Sequence, residues 1–212
     1  VDEAVKKVEE LIAPEMIGLY ADEQDEVDTI LHELDGTDEF RNIGGNTAYA
    51  VSLAVADAAA SSYDLPLFQY LGGSLASDLS YPLGNVIGGG KHALGKATDI
   101  QEFLVLPLGA PSFSAAVLAN ASIHRKLRDI LKETDPTFTG GKGDEGAWAP
   151  NITNNEALEA VSKACGEVSQ EVGFDCRPGL DVASSSLWDP KKKRYVYTRD
   201  NLSRDQGEQI EY

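Results

Sequence analysis

Residues 143 to 150 read GDEGAWAP. Two adjacent carboxylates, Asp144 and Glu145, sit between Gly143 and Gly146, with Trp148 and Pro150 close behind. Glycines and acids alone describe a surface turn. A bulky aromatic so near points to a partly enclosed place, where a carboxyl group is set up to act as a general acid.

Other residues carry chemistry at a distance from that turn. In GGGKHALGK, Gly90, Gly95 and Lys96 match the spacing of a phosphate-binding loop. Ala97 stands where a magnesium-binding hydroxyl belongs, and a strand rather than a helix N-terminus follows, so both features argue against a nucleotide site. His92 in the same loop lies among glycines and is free to approach a ligand, whereas His32 and His124 fall in helical pattern and read as surface or packed residues. Gln101 and Glu102 interrupt an apolar strand, and alternation sends them to opposite faces. A buried carboxylate needs a cation, a metal or a proton, although an edge strand with one wet face explains the pair equally well. Asp181 closes the apolar run in GLDVASS, at the strand end where α/β barrels place ligands and catalytic groups; otherwise it simply bonds to a turn. Glu102, Glu145 and Asp181, with one histidine, form the donor set that a hard divalent cation and acid–base chemistry require.

The elements that must position these residues follow from periodicity. Val1, Val5, Val8, Leu11 and Ile12 predict an opening amphipathic helix ending near Pro14. Helices are predicted over 23–34, along the Ala-rich stretch before Pro66, and briefly at LFQYLGG, with a linker at 74–81. Strands are predicted in YPLGNVIGGG and IQEFLVLP, then a long helix in PSFSAAVLANASIHRKLRDILKE. Thr153 and Glu156 make a capping box opening a helix over 154–172. GLDVASSSL and RYVYTR read as strands, and SRDQGEQIEY as the start of another helix. Helices followed by a strand–strand–helix–helix–strand succession give an α/β fold class.

Composition narrows the partners. The 212 residues hold 35 acids against 18 bases, a net charge of −17, so nucleic acid and anionic membranes are repelled by the bulk surface. The basic run DPKKKRY is a solvated turn against that background. Such acidity suits a cytoplasm of high salt, and an ordinary acidic protein has the same look. No stretch is apolar enough to span a membrane, and the acid-rich start is no secretory signal. Cys165 and Cys176 read as reduced structural thiols.

Taken in order, GGNTAYAVSLAVADAAA, LPLFQYLGG, NVIGGGKHA, DIQEFLVLPLGAPSFSAA, GDEGAWAPN and LDVASS resemble the enolase family, and the acidity resembles its archaeal, salt-adapted members. The resemblance implies a Mg²⁺-dependent lyase of glycolysis that interconverts 2-phosphoglycerate and phosphoenolpyruvate in the cytoplasm, as a homodimer or larger ring. It implies the end of an α+β capping domain over 1–78. Over 79–212 it implies the first part of a TIM-like β/α barrel with a β-β-α-α start. By the same resemblance Glu145 is the proton donor, His92, Gln101 and Glu102 face the substrate, and Asp181 is the first carboxylate ligand of Mg²⁺.

Departures from the family pattern carry expectations too. Ala147 replaces the second glycine of GDEGG, and the loop after Gly88 is one residue longer than usual. No lysine here lies in a segment matching the family's base, and the two further metal-ligand carboxylates have no counterpart. These residues alone are therefore expected not to turn over substrate. The alternative is a non-catalytic acidic binding protein derived from the family.

Overall fold

The computed structural model describes residues 1–90, 93 and 97–199, and the backbone of 202–205. It divides into two compact units, Val1–Asp78 and Leu79–Tyr212. His92 lies outside the described residues.

The first unit is helical among its described residues. Helix α1 (Asp2–Lys7) passes through a wider π turn at Val8–Ile12 into α2 (Ala13–Met16). The helix ends at Met16, two residues past Pro14 and so close to the predicted stop. Proline normally clashes with the carbonyl four residues back. Here the N–H of Ala13 reaches back to the Val8 carbonyl, and Pro14 falls in the first turn of α2, where its missing N–H costs little. Helix α3 (Gln24–Asp35) ends on Gly36, whose φ of +66° closes a left-handed cap onto His32. Helices α4 (Gly45–Ser62) and α5 (Leu67–Gly72) follow. Ile12, Val27, Leu31, Ile43 and Ala48 form the core.

In the second unit the order is β1 (Gly84–Gly88), β2 (Glu102–Leu106), α6 (Phe113–Thr134), α7 (Asn154–Val172) and β3 (Arg177–Asp181). This is the β-β-α-α start followed by a third strand, and the architecture is α/β. Strand β2 lies between β1 and β3 and is antiparallel to both. Consequently the C-terminal ends of β1 and β3 and the N-terminal end of β2 share one rim. Ser112 caps α6 through the Ala115 N–H at 3.2 Å, and the capping box of Thr153 and Glu156 opens α7 as predicted. Both helices pack on the sheet and on each other, burying Phe103, Val105, Ile123, Leu127, Val161 and Val168.

A second sheet holds β4 (Trp188–Asp189), β5 (Arg194–Tyr197) and β6 (Leu202–Asp205). Strand β6 corrects the helix predicted from SRDQGEQIEY: residues 203–205 are extended and pair with β5. Cross-strand pairing satisfies their backbone groups, and tertiary context overrides a weak helical preference. Residues 206–212 lie outside the described residues. No helix among the described residues is long and apolar enough to cross a membrane.

Candidate active site

The shared rim is built by register. Glu102, the first residue of β2, lies opposite Gly88 at the end of β1 on one side and Asp181 at the end of β3 on the other. Direct opposition across an antiparallel ladder puts the Cβ atoms of Glu102 and Asp181 roughly 5 Å apart. Glu102 is half-buried and engaged by a neighbour, while Asp181 is exposed. Like charges placed this way disfavour each other unless a cation is at hand, and hard oxygen donors suit a divalent ion.

Asp181 is held by the chain that follows it. Its Oδ1 accepts the Ala183 N–H at 2.9 Å, and Ala183 sits in the left-handed region at φ +47°. A residue with a Cβ is uncommon there, and the tight Asx turn made by Asp181 holds it in place.

The base of the loop that contains His92 reaches the same rim. The Gly89 N–H donates to the Gln101 carbonyl at 2.8 Å and that of Gly90 to Thr98 at 2.9 Å. A Cβ on Gly89 would meet the Thr98 hydroxyl oxygen at 2.0 Å and the Ile100 carbonyl at 2.4 Å, so only glycine permits this approach. Gln101 is half-buried one residue before Glu102.

The turn quoted at the outset comes to β1 from another direction. Gly146, at φ +82°, closes a tight turn onto the Gly143 carbonyl, and the Gly143 N–H bonds to Ala147 at 2.9 Å. Ala147, which departs from the family pattern, is buried there. Trp148 then joins β1 as a short parallel neighbour, its N–H on Val86 at 3.0 Å and its carbonyl accepting from Gly88 at 2.9 Å. Glu145 is exposed, and its Oε2 accepts a hydrogen bond from Asn85 Nδ2 at 3.0 Å. Asn85 precedes Gly88 by three residues, about 10 Å along the strand. Glu102 and Asp181 are therefore brought together, and Glu145 is anchored further along β1.

Three residues that matter here were not among the site residues read from the sequence. Asn85 is one: its Oδ1 is buried with no hydrogen-bond partner among the described residues, while its Nδ2 serves Glu145. An amide can donate to a carboxylate or, turned over, accept from a carboxylic acid, so this side chain suits either state of Glu145. A polar residue inside an apolar strand was the available signal, the one that drew attention to Glu102. Asp135 is the second. Its carboxylate accepts from the Thr137 N–H and hydroxyl at 2.9 and 2.6 Å and from the Asn151 N–H at 2.8 Å, pinning both ends of the loop that carries Glu145. Burial works against the charge of Asp135, but those bonds and the Arg199 guanidinium outweigh it and hold its pKa below the usual carboxylate value.

His124 is the third, and its reading as a surface or packed helical histidine left out its bonds. The ring stacks on Trp148 with centroids 4.5 Å apart at 18°, and Nε2 lies 3.2 Å from the Gly146 carbonyl. The Trp148 indole N–H donates to the His124 carbonyl at 2.8 Å. Burial lowers the pKa of His124; the bond to Gly146 opposes this in part, and the charge of Lys142 adds to it. The ring is neutral at pH 7, with its proton on Nε2, where a carbonyl oxygen needs a donor.

Comparison with known proteins places these features in a family. Residues 76–212 match the model of the C-terminal TIM barrel domain of enolase, and residues 1–71 that of the enolase N-terminal domain. Enolase of Methanosphaera stadtmanae is 54% identical over 212 residues, covering 100% of this chain and 51% of the relative. Enolase of Methanothermobacter thermautotrophicus is 50% identical over the whole chain and 51% of its own length. That of Halorubrum lacusprofundi is 47% identical, with 100% and 52% covered. The chain spans about half the length of the curated relatives it matches.

Proposed function

The chain belongs to the enolase family, and on that premise we propose that the protein it comes from dehydrates 2-phosphoglycerate reversibly to phosphoenolpyruvate, as a cytoplasmic lyase of glycolysis. Residues 1–78 are then the end of the capping domain and 79–212 the first part of the barrel. Assembly into a homodimer or larger ring, and adaptation to high salt, belong to the same reading.

The observation that carries the proposal is the register that sets Glu102 opposite Asp181 on the rim shared by β1, β2 and β3. Asp181 is proposed as one carboxylate ligand of Mg²⁺. When bound, Mg²⁺ supplies positive charge that stabilises the dianion formed on removing a proton beside the substrate carboxylate. The remaining roles belong to this chain. Glu102 and Gln101 face the substrate and orient it, together with His92. Glu145 gives a proton to the departing hydroxyl oxygen, so that water leaves rather than hydroxide. Asn85 steadies that carboxyl group whether it holds the proton or has given it up. Gly143 and Gly146 let the turn tighten around it.

The test is Glu145→Gln in the complete gene product, with phosphoenolpyruvate formation and Mg²⁺ affinity measured side by side. We expect turnover to fall by about 10³-fold or more and Mg²⁺ affinity to stay within about threefold. Near-normal dehydration by the variant would remove Glu145 from the mechanism. Absence of turnover from the wild-type protein under the same conditions would remove the lyase reading itself.

A further inference from the structure

We infer that His124 is a positioning residue: its imidazole clasps the turn that carries Glu145 to helix α6. The inference deepens the proposed function and rests on Glu145 being the acid of that reaction.

Three contacts make the clasp. The Nε2–H of His124 reaches the carbonyl of Gly146, the residue directly after Glu145. The indole N–H of Trp148, three residues after Glu145, returns to the backbone carbonyl of His124. The two rings stack between these bonds, 4.5 Å apart and nearly parallel. A bond in each direction plus a stack fixes both the separation and the tilt of the turn relative to the helix. Helix α6 is itself anchored in the core through Ile123 and Leu127, which flank His124 in sequence and are fully buried. The turn thus inherits the rigidity of the helix rather than of the long loop between α6 and α7.

The residue type fits the task. A phenyl ring would supply the stack without the hydrogen bond, and an amide the hydrogen bond without the stack. Neutral histidine supplies both, and the burial that keeps it neutral also keeps the Nε2–H bond short of competing water. Glu145 has an exposed side chain and, among the described residues, one hydrogen bond, to Asn85, so its carboxyl group depends on the backbone beneath it for direction. Gly146 imposes little of its own, since φ +82° is freely available to glycine. The turn's own bonds and those of Trp148 to β1 limit that freedom, and the clasp adds a bond at the carbonyl next to the acid.

His124→Phe and His124→Gln in the complete gene product separate positioning from packing. Amide exchange of the peptide spanning 141–149 and steady-state kinetics with 2-phosphoglycerate are read on the same samples. In His124→Phe we expect exchange of the turn to accelerate about tenfold, as for loss of one hydrogen bond, with α6 and β1 unchanged. We expect kcat to fall about tenfold and KM to stay within about twofold, because the acid acts only on the departing group. In His124→Gln, which restores a donor, both should return to within about threefold of wild type.

Unchanged exchange in His124→Phe would overturn the clasp, whatever the role of Glu145. Faster exchange throughout α6 and β1 would also overturn it, because His124 would then be a packing residue for the whole unit. If exchange rises only in the turn, and turnover survives in His124→Phe while Glu145→Gln abolishes it, positioning is refuted and the proposed function stands. If Glu145→Gln retains turnover, the role of Glu145 fails instead, and a positioning residue has no acid to position.

Discussion

The loop after α3 and the loop after α6 begin alike and end differently. Each helix closes on an aspartate followed two residues later by threonine, Asp35 with Thr37 and Asp135 with Thr137. Each carboxylate accepts the threonine N–H and hydroxyl, and each then reaches forward to N–H groups at the far end of its loop. For Asp35 those are Asn42 and Ile43 at 2.8 and 2.7 Å, and for Asp135 it is Asn151 at 2.8 Å. The short loop returns at once to the core at Ile43, and the long one projects the turn with Glu145 before it returns. A buried carboxylate saturated by hydrogen bonds is a device for closing loops, and chemistry depends on what the closed loop presents. The candidate reacting groups, Glu145 and Asp181, are accordingly the exposed carboxylates and not the buried ones.

Removing the clamps tests that division most severely. Asp135→Ala leaves three donors facing an apolar methyl group, and we expect the melting temperature to fall by on the order of 8 °C. We expect kcat for dehydration to fall by about 10²-fold as the Glu145 loop drifts. Asp35→Ala should lower the melting temperature comparably and leave kcat within about threefold. Equal losses of turnover in the two variants would erase the contrast between the loops.

A sharper cut spares the fold and touches only the anchor of the acid. In Asn85→Ala the Glu145 carboxyl group loses the Asn85 donor, and kcat is expected to fall about tenfold with KM nearly unchanged. Asp181→Asn should spare that step and weaken Mg²⁺ affinity instead, by about tenfold or more, since a charged ligand becomes neutral. An unchanged Mg²⁺ requirement in that variant would remove Asp181 from the metal. Smaller again, Thr137→Val and Thr37→Val each delete a hydroxyl partner of one clamp and should lower the melting temperature by about 3 °C. Only the first should slow turnover.

What could be read along the chain was what local spacing determines. The capping box at Thr153 and Glu156, helix α7 from Asn154 to Val172, the two strands around the His92 loop and the β-β-α-α order all follow from periodicity and caps within a few residues. The types of the site carboxylates were legible for the same reason, since an acid in an apolar strand or a glycine-bracketed turn departs from its neighbourhood. Contacts across long separations left no such mark. Nothing near His124 in sequence announces Gly146 or Trp148, and nothing near Asp135 announces Asn151. Residues 203–205 misled because their partner strand lies elsewhere in the chain.

Acid sharpens the contrast between the loops once more, with the smallest effect. Asp35 and Asp135 have lowered pKa values: burial opposes their charge, and the hydrogen bonds each accepts outweigh it. In both cases the unfolded chain takes up protons first as pH falls. The stability each contributes is therefore complete above about 3.8, the ordinary carboxylate value, and is lost as pH drops below it. His124 belongs only to the Glu145 loop, and its pKa is lowered from 6.5 chiefly by burial. The unfolded histidine binds its proton while the folded ring still refuses it, so stability is full above pH 6.5 and declines as pH falls toward the folded value. Protonation also places a positive charge beside Lys142, which the stack on Trp148 brings close. Amide protection of the turn at 141–149 should start to fall a little below pH 6.5, whereas that of the Asp35 loop should hold until the carboxylate range. In His124→Phe the early decline should vanish and the late one remain. An early decline that persists in that variant would mean that another group in the second unit titrates there, and the acid sensitivity of the Glu145 loop would no longer trace to its histidine.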